Sequence, residues 1–132
     1  MAGNIQLMKR AGQINKLTAV SLWFFTISYM GLIFYLSSKS QLLPNLIHGT
    51  DKIIHAFVYF ILALLLYFSF LKSGLKKYLL LITLIFAVIY GVSDELHQYY
   101  VPGRVASIGD IIADSFGALL GSFLAAKLSS RG

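Results

Sequence analysis

The sequence predicts an all-α integral membrane bundle of four transmembrane helices, and three observations predict it. Apolar residues make up 58 % of the 132-residue chain while charged residues make up only 12 %, about half the charge of an ordinary soluble domain. Four stretches of about 20 mostly apolar residues are each long enough to cross a hydrocarbon core of about 30 Å as a helix. The connections between them are short and carry turn residues. A soluble fold of this size would leave much of its apolar surface facing water, whereas lipid solvates that surface directly.

The first span is expected over residues 17–36 and carries no charge. A signal peptide is the alternative, with Lys9, Arg10 and Lys16 as its basic region. The apolar run is longer than a signal core of about 7–15 residues, and no small-x-small cleavage site follows. A retained helix is therefore the better reading. The second span is expected over 51–71, with Asp51, Lys52 and His55 in its first turns. The third is expected over 78–98 and is uncharged until Asp94. The fourth, over 108–128, has Asp110 and Asp114 near its start.

Between the first two spans, Pro44 and Gly49 mark a connection whose Leu42, Leu43, Leu46 and Ile47 suit the membrane interface. Lys72–Lys77 reads as a tight basic turn around Gly74. Val101-Pro102-Gly103-Arg104 reads as a second turn. The domain division follows: a basic segment over 1–16 and a four-helix membrane domain over 17–132. The basic segment reads as a short helix on the membrane surface or as an unstructured tail.

The net charge of +6 would raise nucleic acid as a partner in a soluble protein. Here the bases lie between apolar runs and read as topology signals, with no nucleic-acid role. With both termini on one side, that side carries eight bases: Lys9, Arg10, Lys16, Lys72, Lys76, Lys77, Lys127 and Arg131. The other side carries three, Lys39, Lys52 and Arg104. Cytoplasmic chains hold the excess of Lys and Arg, so both termini are expected in the cytoplasm. With no cysteine, the chain has neither a disulfide framework nor thiol chemistry.

The acids play no part in that count, and they form an independent pattern. All five, Asp51, Asp94, Glu95, Asp110 and Asp114, fall at the end opposite the termini, as do His48, His55 and His97. Ionisable groups at membrane depth are costly and normally face the bundle interior or a watered cavity. Helical spacing places Asp51 and Lys52 on the face of His55, and Asp94 on that of His97 and Gln98. Asp110, Asp114, Gly117 and Gly121 form one stripe on the fourth helix. The glycines repeat a small-xxx-small pattern that permits close helix contact, within the bundle or between protomers.

These residues give two families of reading. In the first, His55, Asp94, Glu95 and Asp110 supply acid/base chemistry, while Lys52, Gln98 and Arg104 hold an anionic group. Asp51 and Asp114 are additional members. Asp94, Glu95 and Asp110 are also candidate ligands for a divalent cation, and an oxygen-rich site favours Mg²⁺, Ca²⁺ or Mn²⁺. In the second, the acids pair with Lys52 and Arg104 and lock the helix ends together. No HExxH, Gly-x-Ser-x-Gly or glycine-rich phosphate motif is present. No polar run crosses the membrane in the manner of a channel.

Asp-Lys-Ile-Ile-His at 51–55, Asp-Glu-Leu-His-Gln at 94–98, Pro-Gly-Arg at 102–104, Asp110, Gly117 and Gly121 together resemble the VanZ-like family of bacterial membrane proteins. The resemblance covers residues 51–124, and Asp114 departs from it where Asn is expected in many relatives. It implies a bacterial plasma membrane, an envelope role and a link to resistance against teicoplanin, a lipid-bearing glycopeptide antibiotic. The expected partners are membrane lipids and a lipid-linked cell-wall precursor or lipoglycopeptide. The resemblance implies no particular reaction. An enzyme acting on such a substrate and a non-enzymatic binder or scaffold both remain open.

Overall fold

The computed structural model describes residues 1–39 and 50–131. They form four helices, α1 (Ala2–Ser37), α2 (Thr50–Lys72), α3 (Leu79–Tyr99) and α4 (Ile108–Ser129). All four are long and apolar enough to cross a membrane. The expected interfacial residues Leu42, Leu43, Leu46 and Ile47, and with them Pro44, His48 and Gly49, lie outside the described residues.

Three spans match the sequence expectation within a residue or so, and the first does not. α1 runs unbroken for 36 residues from Ala2, so no break separates residues 1–16 from the first span. Gly12 weakens a helix interior by only about 1 kcal/mol, and its neighbours are good helix formers, so helix propagates through the basic segment. α1 ends at Ser37 and Ser38, whose hydroxyls both bond back to the Phe34 carbonyl.

The turns are built from their glycines. Gly74 takes φ +95°, and after it Leu75 N–H bonds the Phe70 carbonyl while Gly74 N–H bonds that of Leu71. This is the Schellman arrangement that satisfies the last carbonyls of a helix. Gly103 has φ +81° and follows Pro102, and Arg104 N–H closes the turn on the Val101 carbonyl at 3.1 Å. Proline then glycine at the centre of such a turn fits type II geometry. Ser107 caps α4, its hydroxyl accepting from Gly109 N–H.

α2 and α4 run parallel and form the most extensive helix pair. Their close approach comes from glycine. A β-carbon on Gly117 would run into the Ala56 carbonyl oxygen, and one on Gly121 into that of Phe60. The stripe from Asp110 through Asp114, Gly117, Ala118, Gly121, Ser122 and Ala125 is buried throughout. The glycines therefore serve contact within the bundle. α3 packs on both α2 and α4, while α1 leans on α2 and touches α3 lightly.

Hydrogen bonds inside the bundle add register. Tyr29 donates to the Val58 carbonyl and Tyr90 to that of Met30. Thr26 and Ser69 pair at 2.8 Å in the interior. The Trp23 indole donates to Ser73 at 2.9 Å, and Tyr67 meets Ser129 at 3.0 Å. These contacts place the α2–α3 turn and the end of α4 at one end of the bundle, level with Trp23 in the middle of α1. Outward-facing residues such as Phe24, Phe25, Ile85, Ile89, Ile112 and Phe123 remain exposed, the surface that lipid would cover.

Candidate functional site

The opposite end gathers the polar residues. The start of α2, the end of α3 and the start of α4 meet there, and the α2–α4 crossing at Gly117 brings their first turns into side-chain reach. His55 Nδ1 and Asp114 Oδ1 lie 2.9 Å apart. Lys52 Nζ donates to Asp110 Oδ1 at 2.9 Å, and it also lies 3.5 Å from Asp51. Gln98 donates to Asp94 Oδ2 at 3.2 Å. Glu95 Oε2 accepts from Ser107 N–H at 2.8 Å, joining α3 to the cap of α4.

Depth separates these residues into two layers. Asp94, Glu95, Gln98, Asp110 and Asp114 are buried, with Asp114 only 1 % exposed. The Lys52 and Asp51 side chains are 47 % and 52 % exposed and form a rim. Several inner polar atoms are buried without a hydrogen-bond partner: Asp94 Oδ1, Glu95 Oε1, Asp114 Oδ2 and the Tyr59 hydroxyl. The half-buried Arg104 keeps its Nε in the same state. Leaving such groups unmatched costs about 1–3 kcal/mol each, more where the group is charged. The region is thus costly to keep for packing alone.

Gly91 on α3 makes the inner layer compact. A β-carbon there would lie 3.1 Å from Asp114 Oδ2 and 3.3 Å from the Tyr59 ring. Three side chains offer a shared ligand geometry, since one donor atom each of His55, Glu95 and Asp114 lies within 4.8 Å of the others.

A model of the VanZ/LLP1 family matches residues 5–129. The chain belongs to that family. A search of the curated proteins and a search of the solved structures found no match. As a VanZ/LLP1 protein with four apolar helices, the chain is a multi-pass membrane protein.

Seen in the folded chain, residues of three of the VanZ-like motifs, on α2, α3 and α4, meet at this end. His55, Glu95 and Asp114 bring one donor atom each within 4.8 Å of the others. Lys52 bonds Asp110 directly, and Gln98 bonds Asp94. Asp51 stands apart from His55 despite sharing its helical spacing, because it sits at the first turn of α2, above the packed layer. His55 takes Asp114 as its partner instead. The metal-capable grouping, His55, Glu95 and Asp114, shares only Glu95 with the expected Asp94, Glu95 and Asp110. His97 belongs to a different contact, bonding Ser38 at 2.9 Å and stacking on Phe34.

Three participants escape a sequence reading that assigns tyrosines to an interfacial belt and glycines to helix contact. Tyr59 follows His55 by four residues, and Gly91 precedes Asp94 by three and Glu95 by four. Helical spacing alone places both on the polar faces. The Ser107 N–H carries no signal in its side-chain type, because a backbone donor is available at any non-proline residue.

Proposed function

We propose that this VanZ/LLP1 protein works in the bacterial plasma membrane with its polar end at the outer leaflet. There it binds or acts on a lipid-linked or cell-wall-related anionic substrate. The observation that carries the reading is Arg104, half-buried on the turn between α3 and α4 with its Nε unmatched, while Lys52 at the start of α2 is already engaged by Asp110. A planar guanidinium suits a phosphate or carboxylate. The excess of bases at the other end of the bundle supports the orientation. Membership of the VanZ/LLP1 family supports an envelope role and the link to teicoplanin-type resistance.

In the enzymatic form, Asp114 fixes the His55 ring through Nδ1. Such an orienting contact is what a general base requires. Glu95, Asp94 and Asp110 supply further acid/base capacity, and Lys52, Arg104 and Gln98 hold the anionic group. The test is drug protection in a susceptible host. Glu95→Gln and Arg104→Ala are expected to abolish protection while expression and membrane insertion stay normal. Full protection in both variants would rule the reading out.

The second reading is a non-enzymatic lipid or antibiotic binder, or a scaffold subunit of an envelope complex. It is favoured by the structural use of Glu95 Oε2 and Asp94 Oδ2, each spent on an internal hydrogen bond. Mass spectrometry of lipids and wall fragments with and without the protein separates the two. A new or missing covalent species marks an enzyme, whereas unchanged chemistry alongside drug binding marks a binder.

A further inference from the structure

We infer that His55, Glu95 and Asp114 hold a divalent cation between α2, α3 and α4, an ion of the class that accepts mixed nitrogen and oxygen ligands, Mn²⁺ or Zn²⁺. The inference does not depend on which substrate the pocket takes.

The donor set comes first. One atom from each residue lies within 4.8 Å of the others, a spread that modest side-chain rotation closes around an ion with bonds of about 2.0–2.2 Å. The three residues come from three different helices, so the backbone fixes their relative positions. His55 Nδ1 and Asp114 Oδ1 lie 2.9 Å apart, the separation of two neighbouring ligands on one ion with bonds of about 2.0–2.2 Å. Glu95 has a support from outside the donor set: Ser107 N–H holds its Oε2 at 2.8 Å and leaves Oε1 for the ion, as metal ligands are normally oriented by a second partner.

The unmatched atoms are a separate observation, and they point inward. Glu95 is 2 % exposed and its Oε1 has no partner, while Asp114 is 1 % exposed and its Oδ2 has none. The Tyr59 hydroxyl, on a side chain 1 % exposed, is also unpartnered. Its ring edge and Asp114 Oδ2 both border Gly91, 3.3 and 3.1 Å from where a β-carbon there would stand. Pairing within the cluster therefore leaves two carboxylate oxygens and a phenol without a counterpart, at a depth where such groups need one.

The donor types select the ion. A neutral imidazole selects among divalent cations. A site with one nitrogen and two carboxylates is better matched to Mn²⁺ or Zn²⁺ than to the oxygen-seeking Mg²⁺ or Ca²⁺.

The test uses the full chain, purified in mild detergent and stripped with a chelator. Mn²⁺ titration followed by electron paramagnetic resonance is expected to show one saturable site per chain, displaced by Zn²⁺. Pulsed measurements on the Mn²⁺-loaded chain are expected to show one directly bound imidazole nitrogen. That coupling persists in the His48→Gln/His97→Gln chain, in which His55 is the sole histidine. His55→Gln, Glu95→Gln and Asp114→Asn are each expected to weaken Mn²⁺ by at least about 100-fold, the upper end of what loss of a supporting contact alone produces. Absence of saturable binding by both ions, or bound Mn²⁺ without a nitrogen coupling, would overturn the inference. Because the nitrogen coupling is read on wild-type protein, a variant that fails to fold does not blur the result.

Discussion

Glu95 shows how one side chain can hold the bundle together and still keep a free oxygen. Its Oε2 caps the approach to α4 through Ser107 N–H, and its Oε1 is left unmatched. The two duties separate by substitution. Glu95→Gln keeps a carbonyl oxygen for Ser107 and should change thermal stability in detergent little. Glu95→Ala leaves the Ser107 N–H bare and should lower stability by about 1–3 kcal/mol. The outer pair behaves differently. Lys52 is 47 % exposed, so Lys52→Ala should lower stability less than Glu95→Ala does, read by the same denaturation. At this scale much of the site was legible from spacing: Asp110 and Asp114 on one stripe, and Asp94 with Gln98. Spacing did not reveal partners across helices, because His55–Asp114 and Lys52–Asp110 depend on how closely α2 and α4 approach.

That approach belongs to the elements. The small-xxx-small stripe at Gly117 and Gly121 was readable, but its partner was not, since the pattern serves neighbours within or between chains. The Ala56 and Phe60 carbonyls are the surfaces it meets. Gly117→Ala forces α2 and α4 apart and should destabilise the bundle by about 1–3 kcal/mol, lowering its midpoint of thermal unfolding in detergent. Separating those helices should also weaken the His55–Asp114 contact, so the variant is expected to lose function before it loses its helices. The buried Thr26–Ser69 pair ties α1 to α2 at 2.8 Å. A double-mutant cycle of Thr26→Val and Ser69→Ala should give a coupling of about 0.6 kcal/mol and no more than about 1.7 kcal/mol, the range seen for such bonds in membranes.

For the molecule as a whole, four apolar runs separated by turn residues were enough to give the helix count and the gathering of polar groups at one end. The side of the membrane on which that end lies is a matter of charge counting, and the cysteine-free chain makes it measurable without background. Single cysteines at Val105 and Ser130 should react with an impermeant maleimide on opposite sides. Val105→Cys should label in intact cells and Ser130→Cys only after lysis. Labelling in the reverse order would invert the proposed topology.

The length of α1 could not be read from composition, because a basic stretch of good helix formers looks the same whether it frays, lies flat or continues a span. At about 1.5 Å per residue, 36 helical residues reach about 54 Å, against a hydrocarbon layer of about 30 Å. An unbroken rod cannot both cross that layer and lie along its surface. The first several turns are therefore expected to reach beyond the hydrocarbon as a stiff mast that carries Lys9 and Arg10. A partner meeting the protein from that side would find a fixed post with a known reach, and a fluorophore on the first residues would report its height.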